Sequence, residues 1–148
     1  WRPERLNPLG VSAFCDPGHL LLATTRDQAE TLAVAEDALR DGAAPLVVAE
    51  LGKPPGLTAG RRLQLAAKAG ASTGLCLIPE GGGSNAAETR WHCAPLFDPA
   101  DSTLQRWRLI KNKSGTLGVW DVRWDAASRR LDVVSAAGER PGSEDPAG

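Results

Sequence analysis

A chain of 148 residues with a net charge of −1 and 24% charged residues has the length of one domain, and no global electrostatic pull toward nucleic acid or a membrane surface. At 42% hydrophobic it reads as an ordinary globular protein, and no apolar run approaches the roughly 18 residues of a membrane span. Cys15, Cys76 and Cys93 are odd in number and widely spaced, so they give neither a disulfide framework nor a CxxC metal pair and read as small buried hydrophobes of a reducing, cytoplasmic compartment.

The chain opens at Trp1 and holds no Met, and it is therefore expected to lack an N-terminal part. Pro3, Pro8 and Pro17 forbid a long helix at the start, leaving room for one short packed turn carrying Leu6, Leu9, Val11 and Phe14. His19 to Ala23 reads as a short apolar strand with His19 at its edge.

The stretch from Thr25 to Leu51 organises the rest. Asp27 with Glu30 three residues on resembles a capping box. Ala29, Leu32, Ala35, Ala38 and Leu39 recur at helical spacing, Arg40 suits the last turn, and Gly42 supplies the stop. Leu46, Val47, Val48 and Ala49 follow as an unbroken apolar run that ends on Glu50. Apolar residues on both sides of a strand suit a parallel sheet with helices on both faces. An acid at the carboxyl end of such a strand lies where open α/β sheets bind ligands.

Pro54 and Pro55 punctuate the next loop. Thr58 is a plausible N-cap for a helix over Ala59 to Ala69, with Leu63, Ala66 and Ala67 inward and Gly70 as stop. Gly74 to Ile78 is a further apolar strand. The order strand, helix, strand, helix, strand predicts three parallel neighbours joined by right-handed crossovers. Leu32, Leu46, Val47, Val48, Leu75 and Leu77 are expected to be nearly fully buried, so that Val48→Asp would unfold the domain. The run from Gly81 to Asn85 lacks both GxxxxGKS and GxGxxG spacing and reads as a flexible loop.

Beyond Ala86 the period becomes two. Trp91 with Cys93, Trp107 with Leu109, Trp120 with Val122 and Trp124, and Leu131 with Val133 each share a face. This predicts half-buried antiparallel strands that extend one edge of the parallel sheet. Four of the five Trp residues lie in this half, where packing is their expected role. Residues 1–137 read as one domain, and the tail 138–148, made of Gly, Pro, Ser and acids, as disordered.

Several segments together resemble a known family. Leu6-Asn7-Pro8, Ala38 to Ala43 followed by Leu46-Val47-Val48, and Lys111-Asn112-Lys113 resemble the back portion of a RecA-type recombinase core. Leu57-Thr58 with Arg61 to Ala67, Thr89-Arg90-Trp91, Ala94-Pro95, Trp107-Arg108-Leu109 and Trp120 to Trp124 resemble, more closely, the ImuA-type (inducible mutagenesis) proteins. The resemblance covers about Asn7 to Val134. It implies an α/β, RecA-like P-loop NTPase-type core, with the first strand and phosphate loop absent from this chain.

The departures from RecA bear on activity. No GxxxxGK[ST] occurs in the sequence. Pro3 stands where the resemblance places a catalytic Glu, with Glu4 next to it. Ala49 stands where a Walker-B Asp belongs, and Glu50 follows. Glu50, Lys111 and Lys113 are the nucleotide-binding positions the resemblance implies. The two DNA-binding loops correspond to Gly52–Gly60 and Glu80–Glu88, where Lys53 and Arg61 are the cations present. Loops so poor in cations suit phosphate contacts badly.

The reading is a non-catalytic accessory factor of SOS-induced, error-prone translesion synthesis, with no cofactor and no metal. The partners implied are the lesion-bypass polymerase assembly and RecA, with DNA contact indirect or weak and no membrane. The alternative is an active RecA-type DNA-dependent ATPase that uses ATP and Mg²⁺ and forms filaments on DNA.

Overall fold

The computed structural model describes residues 6–83 and 86–136. The chain divides after Glu88 into two compact units.

The first unit holds α1 (Pro8–Val11), a 3-10 turn at Pro17–His19, α2 (Gln28–Asp41), β1 (Leu46–Glu50), α3 (Leu57–Ala69) and β2 (Thr73–Leu77). The start of α2 is built as its sequence predicts. The Asp27 carboxylate accepts the Glu30 amide at 2.9 Å, and Glu30 in turn accepts the Arg26 amide at 2.6 Å. At the other end Gly42 takes φ 75°, and a Cβ there would overlap the Gly70 backbone. Only glycine meets both demands cheaply. Helix α3 begins two residues before its predicted start, with Gly56 at the N-cap and no side-chain cap.

Strands β1 and β2 pair in parallel, with Val48 opposite Leu75 and Ala49 opposite Cys76. Ala35 and Leu39 of α2, Leu63 and Ala66 of α3, and Ala49 and Leu51 form the buried core, with Val47, Cys76 and Ile78 packed against it. Gly74 lets Leu39 settle onto β2, since a Cβ there would stand 3.2 Å from the Leu39 methyl. Glu36, 8% exposed, is the buried acid among the described residues of this unit. Arg40 and Arg62 both pair with it, and the Arg40 hydrogen bond leads in holding its carboxyl below the ordinary range. A buried carboxylate is tolerated only when so paired.

Three expectations for this unit are corrected. Residues 20–24 form no strand, and Leu21 is 98% exposed. An apolar run becomes a strand only when a neighbour takes its amides and carbonyls, and the parallel sheet has two strands rather than three. The turn at α1 forms without packing, because Leu9 and Phe14 are exposed. Leu46, Val48, Leu75 and Leu77 are not buried but 46–53% exposed. Both helices lie against the face that carries Val47, Ala49 and Cys76, which leaves the alternate residues open. Val47 and Leu32 are half-buried rather than fully so.

The second unit is an antiparallel sheet in the order β3 (Thr89–Pro95), β4 (Gln105–Asn112), β5 (Gly118–Asp125) and β6 (Arg130–Ala136). The predicted alternation is present, yet these strands form a sheet of their own rather than an extension of the parallel one. On one face Trp91 meets Trp107 edge-on at 6.1 Å and Trp120 at 5.7 Å between ring centroids. The Trp120 ring lies over Gly118, where a Cβ would collide with it. Leu109 and Val122 are buried on the same face, and Trp124 shares the Trp120 side by strand alternation. The cysteines depart from their reading: Cys76 is half-buried, but Cys15 and Cys93 are exposed. The expectations for Pro3 and Glu4, for Ser84 and Asn85, and for the tail lie outside the described residues.

Candidate functional site

The carboxyl ends of β1 and β2 meet the general expectation for a ligand crevice in an α/β sheet. Glu50 is the last residue of β1, exposed and two residues past the outward-facing Val48. The chain then buries Leu51, whose amide donates to the Leu77 carbonyl at 2.9 Å, so the β1 terminus is anchored across the sheet. Lys53 follows in the loop, and its amide donates to Gln28 Oε1 at 3.0 Å. That bond ties the loop to the first turn of α2. The loops after β1 and β2 touch: a Cβ on Gly82 would overlap the Pro54 ring. Absence of a side chain at Gly82 is what lets the two loops close on each other.

Arg61 lies on α3, and its guanidinium donates to Gln64 Oε1 at 2.6 Å, while Gln64 donates to Glu88. The cation is thus engaged along its own helix. Glu50, Lys53 and Arg61 belong to the first unit. Lys111, half-buried at the end of β4, and Lys113, exposed in the following turn, belong to the second. Each group of predicted residues is therefore held by a different unit. Among the described residues no group of three or more His, Cys, Asp or Glu side chains is placed to hold a metal ion.

Sequence reasoning missed a shallow groove of about 790 Å³ in the second unit, lined in part by Asp101, Thr103, Arg123, Trp124, Asp125 and Asp132. Asp101 accepts the Thr103 hydroxyl at 2.6 Å and its amide at 2.8 Å. These bonds hold its carboxyl below the ordinary range. Thr103 Oγ1 accepts the Trp124 amide at 3.1 Å, so the turn is pinned to β5. Asp125 is held low in the same way by Ser128 and Ala127. The signal was the Asp-x-Thr and Asp-x-x-Ser spacing of side-chain-capped turns, which marks structure rather than chemistry. Both carboxylates spend their lone pairs on local amides and hydroxyls. Neither is poised as an acid or base.

Comparison with known proteins gives one consistent match. The chain is 34% identical over 127 residues to Protein ImuA of Caulobacter vibrioides, in strain NA1000 / CB15N and equally in strain ATCC 19089 / CB 15. The match covers 83% of this chain and 48% of each relative. The chain thus spans about half the length of the curated relatives it matches. No family model matches, and no solved structure matches significantly.

Proposed function

The chain belongs to the ImuA-type family, and on that premise we propose that it serves bacterial DNA-damage-induced mutagenesis as a non-catalytic accessory factor. The 34% identity over 127 residues to proteins named ImuA is the observation that carries the reading. In it, the helix-backed parallel pair is part of a RecA-like core that works in the cytoplasm as a scaffold for protein contacts. The partners are the error-prone lesion-bypass polymerase assembly and, second, RecA.

The chemistry of the site supports a non-catalytic role. Phosphoryl transfer needs a phosphate cradle, an acid that positions Mg²⁺ and a group that orients the attacking water. At the β1 terminus the one acid is Glu50, a residue beyond the Walker-B position, in a loop whose lone cation is Lys53. Arg61 is bound to Gln64. Preorganised donors at the transferring phosphoryl group supply several kcal/mol of transition-state stabilisation, orders of magnitude in rate, and the β1 terminus offers one acid and one cation toward that need.

The test is an ATPase assay on the full-length protein with single-stranded DNA, beside a pull-down against the polymerase partner. The expected result is retention of the polymerase without DNA-stimulated turnover. Turnover that disappears in Glu50→Gln would replace this reading with an active DNA-dependent ATPase.

A further inference from the structure

The parallel pair is covered on one side only. Val47, Ala49 and Cys76 face α2 and α3, while the alternate residues Leu46, Val48, Leu75 and Leu77 are 46–53% exposed. Register makes these four one patch, with Val48 beside Leu75, Leu46 beside Thr73, and Glu50 beside Leu77. Between Thr73 at its amino end and Glu50 at its carboxyl end, the patch is apolar throughout. Alternation keeps the two faces of a strand apart, so polar residues here would cost the core beneath nothing. Single exposed apolar residues are ordinary, but a contiguous patch with polar ends marks a contact surface.

Parallel sheets occur almost only with helices on both faces. Here α2 and α3 both lie on the face of Val47 and Ala49, so neither covers the patch. The relatives show how much more chain is to hand. The matched 127 residues are 48% of the length of each Caulobacter protein, so about as much polypeptide again lies outside the match. A second copy of this chain fits the patch less well, because the same face brings another Glu50 and no cation to meet it.

We infer that the open face of β1 and β2 is the docking surface for an amphipathic helix of the same polypeptide, from the part of the full-length protein outside these 148 residues. Its apolar stripe lies across Val48 and Leu75 and takes Leu46 and Leu77 at either end. A helix that crosses over between parallel strands runs opposite to them, which sets its N-terminus at their carboxyl ends. At this sheet that position is beside Glu50, and a carboxylate at a helix N-terminus complements the dipole. The exposed acid that closes β1 thereby acquires a packing role. The inference rests on family membership and on the open face, and not on the accessory reading. In these 148 residues alone the face stays open.

The test is photo-crosslinking in the full-length protein, with benzoylphenylalanine in place of Val48 or of Leu75, and mass spectrometry of the captured peptide. The expected result is an intramolecular crosslink, from both positions, to a segment outside residues 1–148. Capture confined to residues 1–148, capture of a second copy, capture only after another protein is added, or no capture from the folded protein would each overturn the inference. Maleimide labelling of Val48→Cys gives a second reading with a smaller side chain. A docked helix must open before the reagent enters, so native labelling should run at least about tenfold slower than in denaturant, at every protein concentration. Equal rates, or protection lost on dilution, would overturn it. Glu50→Gln should speed that labelling about two- to fivefold, as befits one charge at a helix terminus, and Glu50→Lys more. An unchanged rate in Glu50→Lys would overturn the placement of the helix N-terminus. DNA-stimulated ATP turnover would remove the accessory reading and leave this surface standing.

Discussion

The two sheets of this chain solve the same problem from opposite starting sequences. The strands β1 and β2 are apolar on both sides, yet helices cover one face, so Leu46, Val48, Leu75 and Leu77 remain about half exposed. The strands β3 to β6 alternate, and their polar face carries charge while Leu109 and Val122 lie buried on the face that carries the tryptophans. A continuous apolar run says that both faces are fit for burial. It does not say that both are buried. Alternation is the stronger statement, because it names the side that faces water.

Val122→Asp is the substitution that separates the two sheets most widely. Val122 is 5% exposed, opposite Val133 on β6 and Gln105 on β4, and two residues from Trp120 on the same face. A carboxylate placed there has no partner, and the unpaired buried charge costs several kcal/mol. The expected outcome is loss of the near-ultraviolet tryptophan signal and of amide protection across β4 to β6, read by circular dichroism and hydrogen exchange. Native-like protection in that variant would break the assignment of a buried face to this sheet.

Leu39→Ala comes next and tests the first unit. Leu39 is 2% exposed and rests on Gly74, and its carbonyl accepts the Ser72 hydroxyl at 2.7 Å. Truncation removes the transfer energy of the side chain and leaves a cavity that Ala35, Leu63 and Ala66 fill only in part. The cost should be about 2–5 kcal/mol, seen as faster exchange in α2, α3 and β1 with the second sheet's protection retained. Equal loss in both units would show that they unfold together.

How much of this was legible in the chain follows from the same contrast. The helix from Gln28 to Asp41 was readable because cap, periodic face and Gly42 stop all agree, and local signals suffice for it. The pairing of Leu46–Glu50 with Thr73–Leu77 in parallel was readable from the helix between them. The segment after His19 was not, since a strand is defined by a partner and Leu20 to Leu22 carry no information about one. At the site, Glu50 could be placed at a strand's carboxyl end from sequence alone. The engagement of Arg61 by Gln64 and the closing of Pro54 on Gly82 depend on side chains meeting across loops, which spacing does not encode. The register of β3 on β4 slips at Ile110. This bulge left a mark in the sequence, where the consecutive apolar pair Leu109-Ile110 breaks the alternation ahead of Lys111, but only cross-strand register shows that Lys111 changes face.

The smallest expected effect is the most discriminating. From the sequence, Val48 is the centre of a buried strand, and Val48→Asp should unfold the domain. In the structure Val48 is 53% exposed, opposite Leu75 on the open face. An aspartate there keeps its hydration. What it loses is the part of the valine contact that burial had secured, and the preference of a β-branched side chain for a pleated surface. Each is a fraction of the roughly 1 kcal/mol that spans strand propensities in a host protein, so the total should be about 1 kcal/mol. Glu50 lies two residues on along the same face, and its carboxylate adds a repulsion that salt screens. The expected result is a small drop in melting temperature at low salt that shrinks as salt is added, with exchange protection in β1 and β2 retained. A loss comparable with that of Val122→Asp would mean that something covers this face in solution, and the two sheets would then differ in their partners rather than in their exposure.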